Sequence, residues 1–151
     1  MEMKLSVVIP ARNEEDCIEK MVIDVIEELT NEQIDFEIVL VNDNSTDNTS
    51  KIIESLRDIY KDKIIVIHRT PQAGFGRAVR CGLENVHGDA VVVCMGDESD
   101  DPKDIVKYFR KLQEGYDCVF GSRFIKGAIV KDYPLAKLIF NRIGNYLIRL
   151  L

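Results

Sequence analysis

Short apolar runs rich in Val and Ile alternate along the chain with longer stretches whose apolar residues recur at helical spacing. Residues 5–9 form the first run and end at Pro10. Asn13, Glu14 and Glu15 then open a stretch that places Cys17, Ile18, Met21, Val22, Val25, Ile26 and Leu29 on one helical face. The pattern predicts strand, loop and amphipathic helix. Residues 36–41 repeat the strand, residues 42–49 supply turn and cap types, and Ile52, Ile53, Leu56, Ile59 and Tyr60 mark the buried face of a second helix. A third unit follows, with a strand over 64–67, a glycine-bearing loop at 74–76 and a helix over 78–86. A fourth strand over 90–95 leads to a helix over 102–113, and the apolar run 116–120 reads as a fifth strand. Residues 134–151 form a last, amphipathic helix, with Leu138, Ile139, Phe140, Ile143, Tyr146, Leu147, Leu150 and Leu151 on one broad face.

Strands that alternate with helices of this length predict an α/β fold, a mostly parallel Rossmann-like sheet with helices on both faces. With 151 residues, 46% of them hydrophobic, the chain supports one core and one domain over 1–151. A net charge of −6, with Lys and Arg scattered, argues against nucleic acid as a partner. The four cysteines, Cys17, Cys81, Cys94 and Cys118, form no CxxC pair and sit where small hydrophobes fit. That usage points to a reducing, cytoplasmic setting. No leader opens the chain, and no run approaches the ~20 apolar residues of a membrane span.

The chemistry gathers at the carboxyl ends of the strands, where open α/β sheets bind ligands. After the fourth strand, Asp97, Glu98, Asp100 and Asp101 follow five apolar residues without a break. Asp101 ahead of Pro102 is an ordinary helix cap. Capping needs only one carboxylate, and oxygen ligands at this density suit Mg²⁺ or Mn²⁺ carrying the phosphates of a substrate. After the first strand come Pro10, Arg12 and Glu14, where the carboxylate either caps a helix or meets a base or ribose. After the second comes Asp43, which is hard to explain as a cap, while Asp47 is a fair one. After the third come Arg69 and then Gly74, Gly76 and Arg77, a loop whose glycines let backbone N–H groups approach a ligand. No P-loop or complete GxGxxG is present. Arg123, after the predicted fifth strand, either balances local charge or holds a phosphate.

Taken in order, VVIPARNEE (7–15), VNDNSTDNT (41–49), GFGRA (74–78), MGDESDDP (95–102) and GSRF (121–124) resemble the motifs of the family 2 glycosyltransferases of the GT-A fold. Within that family the resemblance is to the polyprenyl-phosphate sugar transferases, such as dolichol-phosphate mannosyltransferases, and it covers nearly the whole chain. It implies that Pro10, Arg12, Glu14 and Asp43 line a nucleoside pocket, with Gly74 and Arg77 on the donor side. It also implies that Asp97, Glu98 and Asp100 hold the divalent ion that bridges the diphosphate of a GDP- or UDP-linked sugar. Arg123 would lie by the donor or acceptor phosphates. The reaction implied is inverting transfer of a hexose, mannose or glucose, to a polyprenyl phosphate. That acceptor is already ionised at neutral pH and needs no strong general base, in keeping with His68 as a strand-end residue and His87 as a surface turn.

Three departures from the family pattern stand out. The acidic loop reads GDESDD where many relatives carry DxD, which makes the ligand register open among Asp97, Glu98 and Asp100. Asn42 stands where an Asp is common, and places more weight on Asp43. The chain also ends at Leu151, where relatives usually continue with strands that complete the acceptor side of the sheet, which reads either as a truncated or as a naturally short member of the family. The last helix is compatible with a peripheral position at the cytoplasmic membrane face, or with packing on the core or against a second copy in a homo-oligomer. Two alternative functions accompany the main reading: a glycosyltransferase with a soluble or protein-linked acceptor, and a non-catalytic nucleotide-binding or assembly module.

Overall fold

The computed structural model describes residues 3–122 and 135–150. Four parallel strands, β1 (Leu5–Ala11), β2 (Phe36–Asn42), β3 (Ile64–His68) and β4 (Ala90–Val93), lie in the order β3-β2-β1-β4. Between and after them run α1 (Ile18–Asn31), α2 (Thr49–Ile59), α3 (Phe75–Leu83) and α4 (Pro102–Gln113). The two central strands, β1 and β2, are buried along their whole length, which is why their sequences are apolar without alternation. They pair from Leu5↔Phe36 to Ala11↔Asn42, and β1 pairs with β4 from Leu5↔Ala90 to Val8↔Val93.

Alternate residues serve opposite faces of the sheet. Val7, Ile9, Ile38 and Leu40 pack in one core with Met21, Val25, Ile53, Leu56, Ile105 and Phe109 from α1, α2 and α4. Val8, Val39 and Val41 pack with Ala78 of α3 in the other. On this second side α3 approaches closely because residue 82 has no side chain. A Cβ on Gly82 would lie 2.3 Å from Val8 Cγ1 and 3.2 Å from Val41 Cγ2. Gly82→Ala is therefore expected to cost about 1–3 kcal/mol through overpacking, read as a lower urea midpoint with an unchanged slope.

At the amino end of the sheet, buried Glu37 ties three segments together. Its carboxylate accepts from Lys4 Nζ at 2.7 Å, Ser6 Oγ at 2.7 Å and the His87 backbone N–H at 2.5 Å. Gly88 N–H in turn donates to Ser6 Oγ at 2.9 Å. Burial pushes the Glu37 carboxyl up, but the bonds from Lys4, His87 and Ser6 outweigh it and bring the group down to about 2. A depressed carboxylate contributes stability above its unfolded value and loses it as pH falls through the folded one. Between about pH 5 and pH 2 the wild type should lose roughly 2–3 kcal/mol more than Glu37→Gln, measured by urea unfolding at each pH.

The expected fifth strand does not form. Residues 116–120 carry no strand hydrogen bonds, and among the described residues β4 is the sheet edge, with Val91 and Val93 43% and 38% exposed. The chain leaves α4 through Gly115, at φ +99°, and residues 116–119 line, together with 90–92 and parts of α4, a cavity of about 450 Å³. Tyr116 and Phe120 are 58% and 87% exposed, so the run is not buried against the sheet edge. Residues 1–119 make one compact unit and 120–151 a second. The second contains α5 (Leu135–Leu150), the predicted amphipathic helix, on which Ile139, Phe140, Ile143, Tyr146 and Ile148 are exposed. Among the described residues no helix is long and apolar enough to cross a membrane.

Candidate functional site

Parallel strands place all their carboxyl ends on one edge, and the loops that leave β1 and β2 are interlocked there. Asn13 N–H donates to Ser45 Oγ at 3.1 Å, Thr46 N–H to Asn13 Oδ1 at 2.8 Å, Glu14 N–H to Thr49 Oγ1 at 2.8 Å, and Asn48 N–H to Glu15 Oε2 at 2.9 Å. These bonds hold residues 12–17 as a loop, so α1 starts at Ile18 rather than at the Asn13–Glu15 opening expected from sequence. Asn13 and Asn44 take the left-handed conformation, at φ 57° and 61°, which Asn tolerates better than most side chains. Asp47 Oδ1 accepts from Thr49 N–H at 3.0 Å at the start of α2, close to the cap role read for it.

Asp43 is buried, at 3% exposure. Its Oδ1 accepts from Arg69 Nη1 and its Oδ2 from Gly74 N–H at 2.7 Å. The carboxylate thus joins the loops after β2 and β3 and brings Gly74 into the site as a backbone donor. Arg69 is a site residue that sequence reading noted without assigning a role. Its position just past a strand end was the available signal.

The acidic loop is less concentrated than its sequence. Asp101 caps α4 through Lys103 N–H at 3.0 Å, as expected. Asp100 Oδ2 accepts from Met95 N–H at 2.8 Å, and Asp97 Oδ1 from Ser99 N–H at 3.0 Å. Glu98, at φ 58°, instead reaches α1 and pairs with Lys20 at 2.8 Å. Among the described residues no group of three or more His, Cys, Asp or Glu side chains stands together in a metal-ligating arrangement. Asp97, Glu98 and Asp100 are accordingly not assembled as one three-carboxylate cage. Arg123 lies outside the described residues.

The loop after β4 nevertheless shares an electrostatic field with the loop after β1. Gly96 packs beside the end of β1, where an added Cβ would be 3.1 Å from Ile18 Cδ1 and 3.5 Å from the Pro10 carbonyl oxygen. The Glu14 carboxyl is raised by burial first and then by the Asp97 and Asp47 charges. Cys17 is raised by desolvation and by Glu98, Glu14, Asp16 and Asp97, and buried Cys94 is pushed up to about 12 by burial, Asp100 and Asp97. Both thiols are thereby held protonated and unsuited to nucleophilic work. Arg12 is exposed at the rim, and Arg77 is held at the start of α3 by Gln72, Nη1 to Oε1 at 2.7 Å. The structure thus brings Pro10, Glu14, Asp43, Gly74, Asp97 and Asp100 to one edge, with Glu98 turned to Lys20 and Arg77 to Gln72.

The chain belongs to glycosyl transferase family 2, whose profile matches residues 6–151. It is 33% identical over 140 residues to a dolichol-phosphate mannosyltransferase of Pyrococcus furiosus, covering 93% of this chain and 39% of that protein. It is 31% identical over 116 residues to an undecaprenyl-phosphate 4-deoxy-4-formamido-L-arabinose transferase of Proteus mirabilis, covering 77% and 36%. The fold is GT-A. A mannosyltransferase of Pyrobaculum calidifontis, solved in complex with GDP-Man and Mn²⁺, superposes with a TM-score of 0.57 at 24% identity over 64% of this chain and 28% of that one. The chain spans less than half the length of these relatives.

The oxygen donors at this edge fit a hard divalent ion in chemistry. Mg²⁺ takes oxygen ligands and is commonly held by one or two carboxylates together with substrate phosphates, without a full protein cage. Asp97 and Asp100 carry carboxylates of that kind, each accepting from one local backbone N–H.

Proposed function

We propose that the protein transfers a hexose from a GDP- or UDP-linked sugar to a polyprenyl phosphate with inversion, using Mg²⁺ or Mn²⁺. The observation that carries the reading is the convergence of the β1, β2 and β4 loops, with Glu14 within the field of Asp97 and Asp43 buried between Arg69 and Gly74. The two polyprenyl-phosphate relatives supply the acceptor class. Glu14, Asp43 and Arg69 bound the nucleoside side, with Arg12 at the rim. Asp97 and Asp100 would hold the ion, and Arg123 is assigned to the phosphates. A bound Mg²⁺ or Mn²⁺ would stabilise the charge that builds on the diphosphate leaving group. The chain's own residues orient the nucleotide, and the ionised acceptor phosphate is its own nucleophile.

The test is product analysis with radiolabelled GDP-mannose and UDP-glucose offered to a short polyprenyl phosphate, to free sugars and to a protein acceptor. Label in the lipid phosphate alone is the expected result. Label in a soluble or protein acceptor replaces the acceptor assignment, and nucleotide binding without any transfer favours the non-catalytic module.

A further inference from the structure

We infer that His68 is a positioning residue, which, as the neutral Nε2–H tautomer, fixes the Asn42 side chain and through it the loops assigned to the nucleoside. The claim about nucleotide rests on the function proposed above; the claim about the loops does not.

The tautomer follows from the partners. Asn42 is 6% exposed, and its Oδ1 accepts from Ser45 N–H at 3.1 Å. Its Nδ2, a donor only, therefore faces His68 Nδ1 at 3.0 Å, and that ring nitrogen must offer a lone pair. The proton sits on Nε2, which donates to Glu54 Oε1 at 2.6 Å, and Glu54 is paired in turn with Arg57 at 2.5 Å. Turning the carboxamide over would set an NH₂ against Ser45 N–H, donor against donor.

A continuous chain of contacts follows from this arrangement. It runs from Arg57 and Glu54 on the surface of α2 through His68 and Asn42 to Ser45, whose hydroxyl accepts from Asn13 N–H between Arg12 and Glu14. Asn42 and His68 are partners in the β2–β3 register, and the Asn42 carbonyl also accepts from Arg69 N–H at 3.0 Å. The charged and titratable groups around the ring are Glu54 and Arg57 on α2, and Asp43 and Arg69, which are paired with each other. A second proton on the ring makes Nδ1 a donor facing the Asn42 NH₂. The carboxamide must then rotate, and Ser45 N–H loses its acceptor. Asn42→Asp reverses the preference, because a carboxylate accepts from both Ser45 N–H and a protonated Nδ1.

Long-range ¹⁵N–¹H NMR of the 151-residue chain reads the tautomer directly, and an acid titration from about pH 8 to pH 5 reads the coupling. The expected result is Nε2–H at the alkaline end, with the Ser45 and Asn13 amide signals moving at the same midpoint as the His68 ring. In Asn42→Asp the Ser45 and Asn13 amides should not follow the ring, because the carboxylate accepts from Ser45 N–H whichever form the ring takes. An Nδ1–H tautomer, or amides that do not follow the ring, overturns the inference. Calorimetric titration with GDP and UDP at pH 8 and pH 6 supplies the second readout. The wild type should weaken about 3- to 10-fold more than Asn42→Asp, the equivalent of one hydrogen bond, and equal weakening in both overturns the role. If neither nucleotide binds at pH 8 the proposed function falls, while the NMR result still decides the part His68 plays in the loops.

Discussion

Replacing Asp97 by Asn, alone or with Asp100→Asn, is expected to lower turnover on the order of 10²–10³-fold or more while leaving the fold intact. The structure separates the two effects. The Asp97 side chain makes one local bond, from Ser99 N–H to Oδ1, and Asp100 one, from Met95 N–H to Oδ2; an Asn carbonyl oxygen can accept either. What the variants remove is negative charge at the carboxyl end of β4, which a divalent ion would need there in order to hold a diphosphate. Thermal midpoints and circular dichroism should therefore match the wild type, and Mg²⁺-dependent nucleotide binding should disappear. Because Asp97 helps raise the Glu14 carboxyl, Glu14 should also titrate at lower pH in Asp97→Asn, which NMR can follow without any ligand. Unchanged metal-dependent binding in the double variant contradicts the ligand assignment.

Asp43→Ala should be costly to stability as well as to binding. The side chains of Asp43 and Arg69 are 4% and 15% exposed, so truncation strands a nearly buried guanidinium and leaves Gly74 N–H without its acceptor. Breaking a buried pair on one side costs about 3–5 kcal/mol. At roughly 2–4 °C per kcal/mol for a chain of this size, the melting midpoint should fall by about 6–20 °C. Pairing Asp43→Ala with Arg69→Met removes both charges and should recover part of that loss without recovering nucleotide affinity. Recovery of both would mean that Asp43 acts only as a structural anchor.

The sheet and its helices were legible because burial imposes a pattern that sequence records. The uninterrupted apolar runs of β1 and β2 reflect burial on both faces, and Met21, Val22, Val25, Ile26 and Leu29 reflect a single buried helix face. The same signal misled at 116–120, where an apolar run lines a cavity beside β4 without joining it. That run is neither paired nor buried, with Tyr116 and Phe120 58% and 87% exposed. The site was legible as a set of loops because parallel topology sends every strand end to one edge. Its internal wiring was not. The pairing of Asp43 with Arg69, 26 residues on, and of Asn42 with His68 depends on the β2–β3 register. The capture of Glu98 by Lys20, 78 residues away, depends on where α1 lies against the acidic loop. Spacing along the chain carries neither.

A metal-dependent nucleotide-sugar donor site at this edge is tested by calorimetric titration of the chain with GDP, UDP and their mannose and glucose conjugates, in Mg²⁺ or Mn²⁺ and again after EDTA. One base should be preferred, and binding should be lost with the metal. Binding that EDTA leaves untouched, or none at all by a chain shown to be folded, would contradict it.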